Sequence, residues 1–211
     1  MIRLSNFKLS LMNIYLLKGS ADGTVVVLQI SKKKILLKLV HSVPSSAADA
    51  SSTRAAVAAD AEGDDRSGDG EEEAGEEVLA VECVGFDTAG MKWAASGGSD
   101  KALKIWDLTA GSCRCTCLHD GGVVALKWHQ SLPVVCTAAL DAVIRLWDAR
   151  SGTVLTTFTG HQDLVTDIFY APSISGGDST SVESLLDCIV SVSDDRTSRV
   201  FMVDSHSLFN K

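Results

Sequence analysis

The sequence has no general excess of basic residues, no dense set of paired cysteines and no apolar run long enough to cross a bilayer. Lys and Arg number 19 against 27 Asp and Glu, for a formal net charge of -8. A broad basic surface for phosphate backbones is thereby excluded, and direct nucleic acid binding is not expected. Much of the acidic excess lies between Asp60 and Glu77, where ten acids (Asp60, Glu62, Asp64, Asp65, Asp69, Glu71, Glu72, Glu73, Glu76 and Glu77) meet only Arg66. The rest of the chain is nearly neutral. Six cysteines in 211 residues are too sparse for a small secreted disulfide scaffold, so reduced thiols and a cytoplasmic setting, extending to the nucleus, are expected. The longest apolar run, Leu9 to Leu17, holds Asn13 and is too short to span a membrane. Arg3 and Lys8 before it imitate a secretory signal, but the segment also fits a repeat strand.

Catalytic signatures are missing as well. The sequence has no Gly-x-Ser-x-Gly elbow, no Gly-x-x-x-x-Gly-Lys loop and no Gly-x-Gly-x-x-Gly turn. No cofactor and no small-molecule substrate is therefore expected. With 45% hydrophobic residues, the chain still has enough apolar side chains for a real core.

What is present is a repeat. Four segments align, Gly19 to Leu28, Gly97 to Trp106, Ala138 to Trp147 and Val192 to Phe201. In each, an Asp (Asp22, Asp100, Asp141, Asp195) stands six residues before a large apolar residue. Trp106-Asp107 and Trp147-Asp148 recur 41 residues apart. Upstream, His119 is followed by Val123, Leu126 and Trp128, and His161 by Val165, Ile168 and Tyr170 at the same offsets. The Asp segments begin 22 and 34 residues after these histidines, and the excess of 12 matches the Ser/Gly-rich stretch Ser173 to Ser184. That stretch reads as a loop insertion. Each unit reads as four short strands, which in the third are Val123 to Trp128, Val134 to Ala138, Val143 to Trp147 and Val154 to Phe158. A single sheet with two apolar faces needs neighbours on both sides.

These motifs resemble the WD40 repeat family, over about Leu4 to Leu39 and Val78 to Asp204. The resemblance implies an all-β fold, a β-propeller of about four blades in an incomplete ring. The units are a degenerate first blade at 1–40, an acidic low-complexity linker at 41–77, blades at 78–118, 119–160 and 161–204 (the last with the 173–184 insertion), and a tail at 205–211. In that family a turn His, a strand Ser or Thr, the turn Asp and the Trp indole form a buried hydrogen-bonded network. Carried over by position, this implies His119, Thr137, Asp141 and Trp147 in the third blade, His161, Ser191 and Asp195 in the fourth, and Asp100 and Trp106 in the second. Phe201 and Leu28 stand where an indole would be, so the first and last blades are expected to rely more on packing.

The order of features, from degenerate repeat and acidic spacer through Val81 to Phe86 and Gly122 to Trp128 to Ile144 to Gly152, resembles the C-terminal half of the angio-associated migratory cell protein family. The fungal member of that family is a chaperone of a newly made large-subunit ribosomal protein, so the resemblance implies a non-catalytic scaffold and a basic ribosomal protein as partner. Members have a complete ring of seven or eight blades, so four repeats read as a truncated sequence, with a second chain supplying the rest as the alternative. In either case, uncovered end sheets imply that the chain alone is not a well-folded monomer.

Three constellations have sharper readings. Cys113, Cys115, Cys117 and His119 alternate along one strand, but side chains two apart stand nearly 7 Å apart by strand rise, too far to converge on zinc. No metal is expected. Ser191, His161 and Asp195 name a hydrolase triad, yet their repeat positions already account for them. Trp147-Asp148-Ala149-Arg150 resembles the motif through which some WD-repeat proteins dock onto cullin-RING ubiquitin ligases, which makes Asp148 and Arg150 candidate partner-binding residues alongside Asp64, Asp65, Asp69, Glu71, Glu72 and Glu73. The acidic stretch Ser45 to Glu76 has almost no large apolar residues to offset ordering entropy and is expected to be disordered. Lys32, Lys33 and Lys34 read as a hairpin tip, or as a nuclear-import signal.

Overall fold

The computed structural model describes residues 7–9, 15–41, 79–88, 92–171 and 187–204. The acidic residues Asp64, Asp65, Asp69, Glu71, Glu72 and Glu73, and the 173–184 insertion, lie outside the described residues. Among those described, every regular element is a strand, in four antiparallel sheets. The first sheet holds β1 (Phe7–Leu9), β2 (Tyr15–Gly19), β3 (Thr24–Gln29) and β4 (Lys34–Val40). The second holds β5 (Val81–Phe86), β6 (Trp93–Gly98), β7 (Ala102–Asp107) and β8 (Ser112–Leu118). The third holds β9 (Val123–Trp128), β10 (Val134–Ala139), β11 (Ile144–Asp148) and β12 (Thr153–Phe158). The fourth has three strands, β13 (Val165–Ala171), β14 (Asp187–Ser193) and β15 (Ser198–Val203). Each strand pairs with the next in sequence, so every sheet is a meander.

The turn chemistry repeats with the sheets. Between the second and third strands, the Oδ1 atoms of Asp22, Asp100, Asp141 and Asp195 accept the N–H two residues on, at 3.0, 3.2, 3.0 and 2.8 Å. The residue after each Asp, Gly23, Lys101, Ala142 or Arg196, has φ between 61° and 73°. Asp stabilises this tight reversal by mimicking a backbone acceptor, which lets even non-glycine residues hold left-handed φ. The same turn sets the start of β11: Val143 gives its N–H to Asp141, so the strand opens at Ile144, one residue later than the apolar pattern suggests. A second recurrence is a register shift before Leu28, Trp106 and Trp147, where the third strand meets the fourth. Such a bulge sharpens local twist.

The cores lie between sheets. Leu17, Val25, Val27 and Leu39 of the first sheet pack on Val81, Val84, Phe86, Ala94 and Trp106 of the second. Leu103, Ile105 and Cys117 of the second pack on Val123, Leu126, Trp128 and Trp147 of the third. Val134, Cys136, Ile144 and Leu146 of the third pack on Val165, Ile168, Tyr170, Ile189 and Val203 of the fourth. Each fully buried aliphatic contributes roughly 1.5–3 kcal/mol.

Backbone contact at the second junction is so close that it requires glycine. A Cβ on Gly97 would meet Val123 Cγ1 at 2.5 Å and Cys83 Sγ at 2.8 Å, and one on Gly85 would meet Leu126 Cδ1 at 2.6 Å. The missing side chains let β9 settle onto β5 and β6, and the Trp128 indole N–H reaches the Gly85 carbonyl at 3.1 Å. Gly97→Ala should therefore overpack this junction, lowering stability by about 1–3 kcal/mol. Urea unfolding should show a lower midpoint at an unchanged slope.

Candidate functional site

Three of the four sheets carry a cluster of polar side chains at the junction with the preceding sheet, and the second sheet's is the most complete. Trp106 donates its indole N–H to Ser96 Oγ at 2.7 Å, His41 Nδ1 stands 2.6 Å from the same oxygen, and His41 Nε2 stands 3.0 Å from Asp100 Oδ1. A carboxylate can only accept, so Nε2 carries the proton and Nδ1 accepts the Ser96 hydroxyl proton. The chain of donors runs from indole to hydroxyl to imidazole to carboxylate. His41 and Ser96 are both fully buried. Lys104 Nζ donates to the His41 carbonyl.

Neither His41 nor Ser96 stands out in the sequence, and His41 falls at the start of the segment 41–77 read as linker. In the structure His41 belongs to the second sheet's junction. The clue was masked by distance: His and hydroxyl are 55 residues apart here but 18 in the third sheet.

In the third sheet Thr137 Oγ1 accepts the Trp147 indole N–H at 2.9 Å and lies 2.9 Å from His119 Nε2. Asp141 does not complete the chain. Its Oδ2 pairs with Arg145 Nη1 at 2.7 Å, Arg145 Nη2 reaches Asp120 at 3.2 Å, and His119 Nδ1 is buried without a hydrogen-bond partner among the described residues. Burial, and secondarily the nearby Arg145 charge, push the His119 pKa down to about 4, so the ring is neutral.

In the fourth sheet His161 Nε2 lies 2.7 Å from Ser191 Oγ and Nδ1 lies 2.8 Å from Asp195 Oδ2. The Asp195 carboxyl is held well below the usual carboxylate range, chiefly by the Thr197 hydroxyl, with burial opposing and His161 and backbone N–H groups assisting. Phe201 gives no indole, but two of the three links remain, so this blade depends on the network more than its sequence suggests.

The Ser191, His161 and Asp195 distances match a hydrolase triad in form. Ser191, however, is 1% exposed, and the same order recurs as Ser96, His41 and Asp100. A buried hydroxyl gives a substrate no route of approach, and its recurrence under a second indole position marks it as a junction device.

A further polar junction carries no repeat motif. His129 Nδ1 accepts the backbone N–H groups of Ser131 and Leu132 at 3.0 and 2.9 Å, so its Nε2 carries the proton, 2.9 Å from Asp187 Oδ2. Tyr170 donates its hydroxyl to the same oxygen at 3.1 Å. Thr88 of the second unit donates to the His129 carbonyl at 2.7 Å, so this segment touches three successive sheets. Among the thiols, Cys117 is buried beside the Gly152 carbonyl, while Cys113 is exposed. Cys115 Sγ lies 3.9 Å from the Ala149 carbonyl.

Asp148 and Arg150 meet at the outer end of β11. Arg150 Nε donates to Asp148 Oδ1 at 3.0 Å and Nη2 to Oδ2 at 3.0 Å, a forked pair. The Arg150 side chain is 51% exposed and that of Asp148 is 12% exposed. Burial would raise the Asp148 pKa, but the Arg150 hydrogen bonds outweigh it and lower it.

Stacked antiparallel meanders with Asp turns define a β-propeller fold, and within it residues 79–107 and 111–148 match the WD domain, G-beta repeat model. Within that class the chain resembles angio-associated migratory cell protein of Homo sapiens, with 36% identity over 124 residues. That match spans 59% of this chain but only 26% of the relative, so the chain covers about a quarter of its length. The Ribosome biogenesis protein WDR12 homolog of Nematostella vectensis is 35% identical over 92 residues, 39% of this chain and 22% of that protein. Among solved structures, the computationally designed propeller Ika8 matches with a TM-score of 0.59 and 20% identity, over 94% of this chain and 45% of the designed one.

Two measurements test the network. Thr137→Val leaves the Trp147 N–H and His119 Nε2 without their shared oxygen and should cost about 1–3 kcal/mol in chemical unfolding, while Thr137→Ser should cost less than 1 kcal/mol. His119 is neutral when folded, with a pKa near 4, but takes up a proton near 6.5 when unfolded. Its contribution is therefore whole above pH 6.5 and lost as pH falls from 6.5 to 4, a decline of up to ~3 kcal/mol that His119→Gln should remove.

Proposed function

We propose that the protein is a non-catalytic protein-binding scaffold whose client is a basic protein of ribosome assembly. The observation that carries the reading is the placement of one strongly acidic connection on an otherwise nearly neutral repeat body. The connection leaves at His41, tied to Ser96 and Asp100, and returns at Ala80, whose N–H donates to Ser99 Oγ at 2.8 Å. Both ends thus meet beside the Asp100 turn, so ten acids are tethered to one rim of the body. The likeness to a ribosome biogenesis protein supports a basic client of that kind. Long-range attraction would speed encounter, and salt would weaken it beyond a screening length of about 8–10 Å.

The exposed Arg150 favours a second reading, docking onto a cullin-RING ubiquitin ligase. There an acidic partner would have to compete with Asp148, which already engages the guanidinium fork. Recovery from cells separates the two. With the intact protein as bait, neutralising Asp64, Asp65, Asp69, Glu71, Glu72 and Glu73 together should reduce capture of ribosomal protein several-fold, and raised salt should do the same. Arg150→Ala should leave that capture unchanged. Loss of ligase adaptors on Arg150→Ala, with no ribosomal protein enriched in the wild type, would overturn the scaffold-for-ribosome reading.

A further inference from the structure

In each four-stranded sheet the register shift beside Leu28, Trp106 or Trp147 skips one residue of the fourth strand: Leu36, Arg114 and Leu155. What that residue does depends on the side chain that opens the second strand of its own sheet. In the second sheet this is Trp93, and the Arg114 guanidinium lies over its ring, 4.9 Å from the centroid, while Nη2 donates to the Arg150 carbonyl of the third sheet at 3.2 Å. In the third sheet it is Val134, and Leu155 packs on the apolar cluster to which Val134 belongs. An aromatic ring at this place thus takes a guanidinium, and an aliphatic side chain takes a leucine.

The junction of the first and second sheets has the ring without the guanidinium. Tyr15 opens β2 as Trp93 opens β6, and Phe86 stands where Trp128 stands. Leu36 is 44% exposed, and it lines a cavity of about 240 Å³ with Tyr15, Phe86, Leu108 and Thr109. Thr109 holds the place of Arg150, for each gives its backbone N–H to the Asp two residues before it. The cavity therefore repeats the site of Arg114 with the arginine left out. Its charge suits a cation as well. Asp148 is covered by the Arg150 fork, whereas Asp107 is engaged by the N–H groups of Thr109 and Ala110 and makes no ion pair among the described residues. A carboxylate thus stands one hydrogen bond from the cavity wall.

We propose that this cavity takes an arginine side chain presented by a partner protein, with the guanidinium over Tyr15 and its donors toward Thr109 and Asp107. The site lies at the rim where β5 ends and β7 turns into β8, opposite the rim where the acidic connection leaves after β4 and returns before β5. It is a second point of contact, and it goes beyond the electrostatic reading above. Because it opens between two sheets of the described arc, blades stacked on either end of that arc leave it uncovered.

The test is saturation-transfer NMR with the intact protein and three probes, the N-acetyl amides of arginine, lysine and leucine. The arginine probe should bind about two- to five-fold tighter than the leucine probe, the size of one exposed cation–π contact, with its δ-methylene protons saturated most. It should also bind tighter than the lysine probe, which has no planar fork. Leu36→Arg copies the second sheet, fills the cavity from within and should weaken arginine binding several-fold, while Leu36→Ala should keep it. Tyr15→Val copies the third sheet and should turn the preference to the leucine probe. Neutralising the six acids from Asp64 to Glu73 should leave the arginine probe unaffected. Equal binding of arginine and either other probe, or arginine binding that survives Leu36→Arg, overturns the proposal. So does a wild type that takes up no probe, since another segment then fills the cavity. Arginine binding without capture of ribosomal protein from cells overturns the ribosomal reading and leaves this site standing.

Discussion

Everything in this structure follows from sheets that are apolar on both faces. β6 and β10 are buried along almost their whole length, which is possible only when a sheet lies on each side. Small residues then matter as much as large ones. Gly85 and Gly97 admit Leu126 and Val123, and alanines such as Ala94, Ala95, Ala138 and Ala139 keep the second strands thin. The stacking direction is continuous, so the requirement passes from sheet to sheet and stops only where the described arc stops, at Leu28 on one side and Val200 on the other. The exposed valine, methionine and phenylalanine of the fourth sheet are the same requirement left unmet among the described residues.

Polar groups enter these dry junctions only as satisfied chains. A single hydroxyl, on Ser96 or Thr137, serves the indole as acceptor and the imidazole as neighbour. That economy fits the neutral His119 ring: a protonated ring would bring a second donor to a junction whose acceptors are already engaged. The three clusters differ by one link each. The second sheet has all three links, the third exchanges His–Asp contact for an Asp141–Arg145 pair, and the fourth lacks the indole. Each is still anchored by its His–hydroxyl contact, which is the part that spans from the loop before a sheet to that sheet's second strand.

Much of this was legible in the sequence because it is periodic. Asp six residues before a large apolar residue, Trp in two of the four units, fixes a turn and a strand together, and the last two units give both strand order and the hydroxyl positions Thr137 and Ser191. What could not be read lacks either period or proximity. His41 is separated from Ser96 by a long connection, so a spacing rule learned from His119 misses it. His129, Asp187, Tyr170 and Thr88 meet only because three sheets stack, and no local pattern announces such a tie. The loss of the His119–Asp141 contact was equally invisible, since it depends on Arg145 and Asp120 competing for the same carboxylate and its surroundings.

Between neighbouring sheets the faces are consumed by one another, so length variation falls to turns, rims and connections. The fold tolerates a large acidic connection there for a simple reason. Between β4 and β5 it replaces a link that takes only four residues between β8 and β9. Lengthening a link tenfold costs on the order of 2 kcal/mol in closure entropy. The His41 contacts with Ser96 and Asp100 and the Ala80 contact with Ser99 are of a size to offset much of that cost. A junction that already holds a histidine in place thus doubles as the clamp for an inserted segment, and the charge of that segment can vary without disturbing a single buried row.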